Sequence, residues 1–240
     1  MEFANIVTRT ASKICEHKNS IVGDRPMTVS IEGLSNSGKS TFSESVCDKL
    51  NTFAFPSVSI EGDAFHVGYT PAMKVYNELI DSIEKGNPVD IGFYKHVWRF
   101  GEMESQLISQ ISSFDFSSSE SNKLVLENIL DNKQDGTEHS ASYDIKESSV
   151  ILVPSIYLRH LPFDYSIFLD VSPKVSTERK IERAKRDGKP RDPKVTERMV
   201  SQIEYPAMLA YAEKVKKPDL VIDMNDFNNM EFKEFLENEN

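Results

Sequence analysis

Two hydrophobic spacings alternate along the chain. Phe3, Ile6, Val7 and Ile14 recur near helical spacing, which predicts a helix over residues 2–18. Asp24-Arg25-Pro26 then turns into Met27-Thr28-Val29-Ser30-Ile31, short and rich in β-branched residues, hence a strand. Phe42, Val46 and Leu50 stand four apart and predict a helix over 41–50, and Ser57-Val58-Ser59-Ile60-Glu61 after Pro56 predicts a second strand. Helices are expected over 72–86, ending at Gly86-Asn87-Pro88, and over 102–114, followed by a loop at 117–121. Residues 123–130 and 139–145 around Asp135-Gly136 read as a hairpin. Val150-Ile151-Leu152-Val153 is an unbroken apolar run, suited to a strand buried on both faces. Residues 165–170 form another strand, and Ser172-Pro173 opens a helix that ends near Asp187-Gly188. A helix over 195–215, interrupted at Pro206, a last strand at 218–223 and a frayed acidic tail to Asn240 complete the pattern. Strands alternate with helices and no repeat is present, so the class is α/β with a mostly parallel central sheet.

Composition sets limits on this picture. At 240 residues the chain suits a single domain spanning 1–240, and 39% hydrophobic residues suffice for a sizeable core. Net charge is −10, with Glu231, Glu234, Glu237 and Glu239 crowding the tail, whereas a nucleic-acid partner demands a basic face. No nucleic-acid partner is therefore expected. Cys15 and Cys47 have no metal-like spacing and read as reduced thiols. With no signal peptide or spanning helix in view, no membrane partner is expected either, and the expectation is a soluble, cytoplasmic protein.

The strand at 27–31 and the helix at 41–50 enclose Gly33-Leu34-Ser35-Asn36-Ser37-Gly38-Lys39-Ser40-Thr41. This stretch matches G-x-x-x-x-G-K-[ST], the phosphate loop (P-loop, Walker A), in the strand–loop–helix setting that gives the match its meaning. Gly33 and Gly38 permit backbone angles and approaches that a Cβ would block. The loop amides then face phosphate oxygens, aided by the positive end of the helix. Lys39 is expected on the β- and γ-phosphates of ATP and the Ser40 hydroxyl on Mg²⁺. A chance Gly/Ser turn containing a lysine is the bland alternative, and four specified positions in context weigh against it.

Other stretches are more ambiguous. Asp63 lies just past the second strand, where open α/β sheets place reacting groups, but it could equally cap a short turn. Residues 91–100 concentrate Tyr94, Lys95, His96, Trp98 and Arg99, which could line a pocket or form a packed loop. Arg179, Arg183 and Arg186, spaced by four and three, share one helix face. A solvated basic face is the usual fate of such a helix. A mobile arginine-bearing lid over a transferring phosphate would use the same charge directly.

From Val29 to about Asp223 the chain resembles the uridine kinase and phosphoribulokinase group of P-loop kinases, a nucleoside-kinase-like fold. Four segments carry the resemblance: the phosphate loop; Glu61-Gly62-Asp63-Ala64-Phe65-His66; Phe168-Leu169-Asp170-Val171 with the run from Glu178 to Asp187 and Arg191-Asp192; and Gln202-Ile203-Glu204-Tyr205-Pro206-Ala207 with Pro218-Asp219-Leu220-Val221-Ile222-Asp223. The resemblance implies that Asp63 is the carboxylate that takes the acceptor proton and lies near Mg²⁺. It implies that His66 touches substrate, that Arg183, Arg186 and Arg191 steady phosphates from a lid over about 179–192, and that Gln202 lines the site. Tyr94 and Arg99 of the aromatic and basic stretch join His66 and Gln202 as candidate substrate-binding residues. Ser40 and Asp63 are the candidate metal ligands, and residues 123–146 form a hairpin insertion.

Two departures stand out. The group has an acid after the buried strand, where this chain has Val153-Pro154-Ser155, so metal binding leans on Ser40 and Asp63, or on Glu61 or Glu127. The tyrosine and histidine that read uracil in uridine kinases have no clear counterpart. The expectation is an ATP- and Mg²⁺-dependent kinase acting on a hydroxyl of a small-molecule acceptor: a nucleoside, a sugar or a sugar phosphate. A non-catalytic nucleotide-binding protein and a simple NTP hydrolase are the alternatives. A homo-oligomer is left open.

Overall fold

A computed structural model describes residues 2–21, 25–88, 90, 92–116, 122–131 and 136–233. Expectations at Asp24, Ile91, 117–121, Asp135 and the tail beyond 233 lie outside the described residues.

The chain runs α1 (Phe3–Ser20), β1 (Met27–Gly33), α2 (Lys39–Thr52), β2 (Ser57–Ser59), a 3₁₀ turn (Gly62–Phe65), α3 (Tyr69–Glu84) and a second 3₁₀ turn (Phe93–His96). Then α4 (Phe100–Met103) continues through a π-turn (Glu104–Ser109) into α5 (Gln110–Ser113). The hairpin β3 (Asn122–Leu130) and β4 (Glu138–Ile145), then β5 (Val150–Pro154) and β6 (Tyr165–Asp170), lead to α6 (Pro173–Arg186). The last part is α7 (Pro193–Arg198), a π-turn (Met199–Glu204), α8 (Tyr205–Ala212), β7 (Leu220–Asp223) and β8 (Glu231–Lys233).

The main sheet has the order β2-β5-β1-β6-β7-β8. The first five strands are parallel and β8 is antiparallel to β7. β1 is central, and all seven of its residues are buried. From β1 the chain moves first to one side, to β2 and back to β5, and afterwards fills the other side with β6 and β7. A crevice therefore opens beside the carboxyl end of β1, the usual ligand position in such sheets.

The two faces of the sheet explain the unbroken apolar run. Val150 and Leu152 join the core that α1 and α2 form with Ile6, Ile14, Phe42, Val46 and Leu50. Ile151 and Val153 join the opposite core, with Met103, Leu107 and Ile111 of the α4–α5 helix and Leu124, Leu126 and Ile145 of the hairpin. Each such side chain withdrawn from water contributes about 1.5–3 kcal/mol, and β5, covered on both sides, is apolar throughout. A third cluster, with Tyr76, Phe93, Trp98, Tyr157 and Ile203, packs α3 against the turn before α8 beside the crevice.

The hairpin stands as its own two-stranded sheet. Its β3 edge is closed by glutamine side chains. Gln110 Oε1 accepts from the Val125 N–H at 3.1 Å, its Nε2 donates to the Val125 carbonyl at 2.7 Å, and Gln106 Oε1 accepts from the Glu127 N–H at 2.8 Å. Side chains thus stand in for the strand that the edge lacks.

Three expectations change. Part of the stretch taken as tail is strand: Lys233 holds β8 by ion pairs to Asp170 at 2.5 Å and Asp223 at 2.9 Å. The expected interruption at Pro206 is a widened turn just before it, because proline cannot donate to the helix ladder and the preceding carbonyls take i→i+5 partners instead. The stretch at 91–100 is mainly packed: Phe93, Val97 and Trp98 are buried, and Tyr94 stacks on Tyr157 with centroids 4.3 Å apart. Among the described residues no helix is long and apolar enough to cross a membrane.

Candidate active site

The phosphate loop takes its shape from close approaches. A Cβ on Gly33 would lie 2.6 Å from the Leu169 carbonyl and 2.7 Å from Ser37 Oγ, so only glycine lets β6 and the loop meet there. Asn36 (φ 57°) and Gly38 (φ 97°) adopt left-handed backbone, and Gly38 starts α2 in that conformation. The α2 amino end thus faces the crevice with its first amides unspent by the helix.

Lys39 Nζ donates to the carbonyls of Gly33 at 3.0 Å and Leu34 at 2.8 Å. Burial pushes its ammonium below the ordinary lysine value, while Asp63, Glu204 and Glu61 act in the other direction. Ser40 Oγ donates to Glu61 Oε2 at 3.1 Å. Burial, and then the neighbouring Asp63 charge, push the Glu61 carboxyl up.

Asp63 sits in the 3₁₀ turn after β2. The turn is pressed against β5 so closely that a Cβ on Gly62 would lie 2.5 Å from Ser155 Cβ. Ser155 Oγ donates to Asp63 Oδ1 at 3.1 Å. Ser155, just past β5, therefore orients the carboxylate across from it.

A cleft of about 770 Å³ joins these groups. The loop residues Ser35, Asn36, Gly38, Lys39, Ser40 and Thr41 line it, with Asp63 opposite. From α6, Arg179, Arg183 and Arg186 line it too. Arg183 and Arg186 are mostly exposed, each 3.6 Å from Asp187, and are loosely held. Arg179 is committed: its Nη2 donates to the Met224 carbonyl at 2.7 Å and its guanidinium lies 4.0 Å from the Phe227 ring centroid. An adjoining space of about 520 Å³ shares Asn36, Ser40, Asp63 and Arg183 and adds Glu44, Glu61 and Arg191. Ser37 is fully buried, lines neither space, and its Oγ has no hydrogen-bond partner among the described residues.

Sequence reasoning passed over one constellation. Glu204, in the π-turn, accepts from Lys180 Nζ at 2.7 Å and from the Ser35 hydroxyl, while Ser176 Oγ donates to the Ser35 carbonyl at 2.6 Å. Lys180 and Glu204 are 10% and 7% exposed, so this buried pair ties α6 to the phosphate loop. Tyr76, Ile156 and Glu204 line the cleft beside Trp98, which belongs to the aromatic stretch. The signal for Glu204 was its place two residues past Gln202 in a helix, where the side chains of 202 and 204 face about 200° apart.

Four expected substrate residues lie elsewhere. Gln202 is exposed, on the outer side of that turn. Arg99 is spent on Glu102 at 2.7 Å, the Asn128 carbonyl at 2.8 Å and the Ala64 carbonyl at 3.4 Å. Tyr94 is held against Tyr157. His66 accepts from the Gly68 N–H at 3.0 Å and sets its ring edge-to-face against Trp98 at 5.1 Å, where burial pushes its imidazole below the ordinary value. None of the four lines either space.

No protein-family model and no curated protein matches the chain. Solved structures do. A candidate fructose transport system kinase from Silicibacter sp. superposes with a TM-score of 0.61 at 17% identity, over 90% of this chain and 98% of its own. A candidate uridine kinase from Bacillus stearothermophilus gives 0.56 at 18% identity, over 88% and 96%. D-glycerate 3-kinase from Cryptococcus neoformans gives 0.60 at 11% identity, over 95% and 99%. At such identities the fold is what is shared. It is an α/β P-loop NTPase fold, with the mostly parallel central sheet that the alternation of strands and helices predicts.

Proposed function

We propose that the chain is an ATP-dependent small-molecule kinase, acting on a hydroxyl of a nucleoside, sugar or sugar phosphate. One observation carries the reading: the Asp63 carboxylate opens into the same cleft as Lys39 and the α6 arginines. A base, a phosphate-binding ammonium and mobile cations in one cleft are what phosphoryl transfer requires.

The loop fits a triphosphate: Asn36, Gly38, Lys39, Ser40 and Thr41 line the cleft where α2 begins, and a positive φ at Gly38 opens the helix there. Ser40, Asp63 and Glu61 are the oxygen donors suited to Mg²⁺, Glu61 taking over for the acid absent after β5. Bound Mg²⁺ neutralises charge on the phosphates. Asp63 accepts the proton of the acceptor hydroxyl as its oxygen bonds to the γ-phosphorus and the bond to ADP breaks. Lys39, Arg183 and Arg186 hold the charge that spreads over the transferring group, and Arg191 extends that cationic rim. In this account α6 and the segment to Arg191 serve as a lid, anchored at its base through Lys180 and Glu204.

One observation favours a second reading, a nucleotide-binding protein without transfer. Ser155, and no acid, follows β5, and it engages the carboxylate that would serve as base. ADP release measured with and without acceptors separates the two. Release that requires an acceptor supports the kinase. Nucleotide binding with no release from any acceptor supports the second reading.

A further inference from the structure

We infer that the acceptor bound beside Asp63 is an uncharged polyhydroxylated molecule, a free sugar or the ribose of a nucleoside, and not a phosphorylated or carboxylated one. This rests on the kinase reading and narrows its acceptor.

The lining of the cleft divides by charge. Its cations are Lys39, Arg179, Arg183 and Arg186, all from the phosphate loop, α2 or α6. The rest of the lining outside the loop, α6 and its cap Asp187, namely Asp63, Tyr76, Trp98, Ile156 and Glu204, supplies two carboxylates, an indole, a phenol and a sec-butyl group, with no cation. The loosely held Arg183, Arg186 and Arg191 stand on the side of α6 and its following segment, where the kinase reading uses them on the ATP phosphates, and the arginines nearer the remaining wall are already spent. Arg99 bonds Glu102 and two carbonyls, and Arg159 is 3% exposed and paired with Glu32 at 2.5 Å. Lys180 is paired with Glu204. An acceptor phosphate or carboxylate would enter between two carboxylates without a cationic partner of its own, and like charges placed together are strongly disfavoured.

The same wall suits hydroxyls. Trp98 is 7% exposed and its indole N–H is buried with no partner among the described residues. A buried donor left unpaired is costly, and a ligand oxygen would satisfy it. The Tyr76 phenol stays neutral, held well above its ordinary pKa by burial and by the charges of Glu204 and Asp63. A sugar ring carries groups that both accept from such donors and donate to carboxylates, and its C–H face packs on indole and phenol.

The test uses the full chain with Mg-ATP and matched acceptors: D-ribose against ribose 5-phosphate, D-fructose against fructose 6-phosphate, uridine against its 5′-monophosphate, and D-glycerate as the carboxylate. The expected result is acceptor-dependent ADP release with at least one neutral member, at a kcat/KM about tenfold or more above its charged partner. Sugars alone, or nucleosides alone, then identify the source of the hydroxyl. Trp98→Phe keeps the ring and should raise the KM for that acceptor about tenfold, with the KM for ATP unchanged. A charged member used as well as or better than its neutral partner overturns the inference, and so does a Trp98→Phe effect shared equally by ATP. Calorimetry with a non-hydrolysable ATP analogue covers the case of no turnover. If only charged acceptors bind, the acceptor class is wrong. If neutral ones bind without turnover, the acceptor class stands and the kinase reading falls.

Discussion

Arg159→Met removes the cationic half of a pair that is closed off from water. Glu32 is the residue before Gly33, its carboxylate is 0% exposed, and Arg159 is 3% exposed. Glu32 accepts from the Arg159 guanidinium at 2.5 Å, the Arg159 backbone N–H at 2.5 Å, the Leu158 N–H and the Tyr211 hydroxyl at 3.4 Å. Loss of the guanidinium leaves a carboxylate that can neither reach water nor find another cation. Breaking one side of such a pair costs about 3–5 kcal/mol. In a chain of this size each kcal/mol moves the thermal midpoint by about 2–4 °C, so the midpoint should fall by roughly 6–20 °C. Urea and thermal melts followed by circular dichroism measure both quantities. The double variant Glu32→Leu/Arg159→Met, with no buried charge left, should recover most of the loss. A single variant that loses less than about 1 kcal/mol, or a double variant no more stable than the single, would refute the reasoning that burial of an unmatched charge sets the cost.

Two further outcomes follow from the same geometry. Gly33→Ala forces a Cβ against the Leu169 carbonyl, so folding stability should drop by about 1–3 kcal/mol and ATP affinity should fall, as titration calorimetry would record. Asp164 lies under two opposing influences: burial raises its pKa, but Arg25 at 2.6 Å and the Thr28 N–H and hydroxyl overcome it and hold the carboxyl below its ordinary value. Its contribution to stability is therefore present above the unfolded pKa, about 3.9, and is lost as pH falls through the lower folded value. Asp164→Asn should be less stable at neutral pH and lose less on acidification, so urea melts across pH should converge in acid; parallel curves would contradict this.

The fold was legible because its signals are local. The buried run 150–153 and the strand–loop–helix around Gly33 need no knowledge of distant contacts. β8 was not, since three residues of strand depend on Lys233 meeting Asp170 and Asp223 across the chain. The site divides the same way. Of the groups that line the cleft, Lys39 and Ser40 follow from the spacing of the loop, while Asp63 past its strand read equally well as a turn cap. Glu204 lines the cleft only because the π-turn before α8 meets the phosphate loop, and Gln202 does not because the same turn leaves it exposed. Arg99 offered an attractive charge, but the number of carbonyls around it decides its fate, and only the folded chain reveals them.

Asp63→Asn tests the central claim most directly. The substitution keeps the shape of the side chain and an oxygen that can accept from Ser155, and removes the negative charge and with it the ability to take a proton. Acceptor-dependent ADP release should fall by about 10²-fold or more, while the dissociation constant for ATP stays within a factor of about two. Unchanged release from the asparagine variant would show that the proton goes elsewhere and that this carboxylate is not the base.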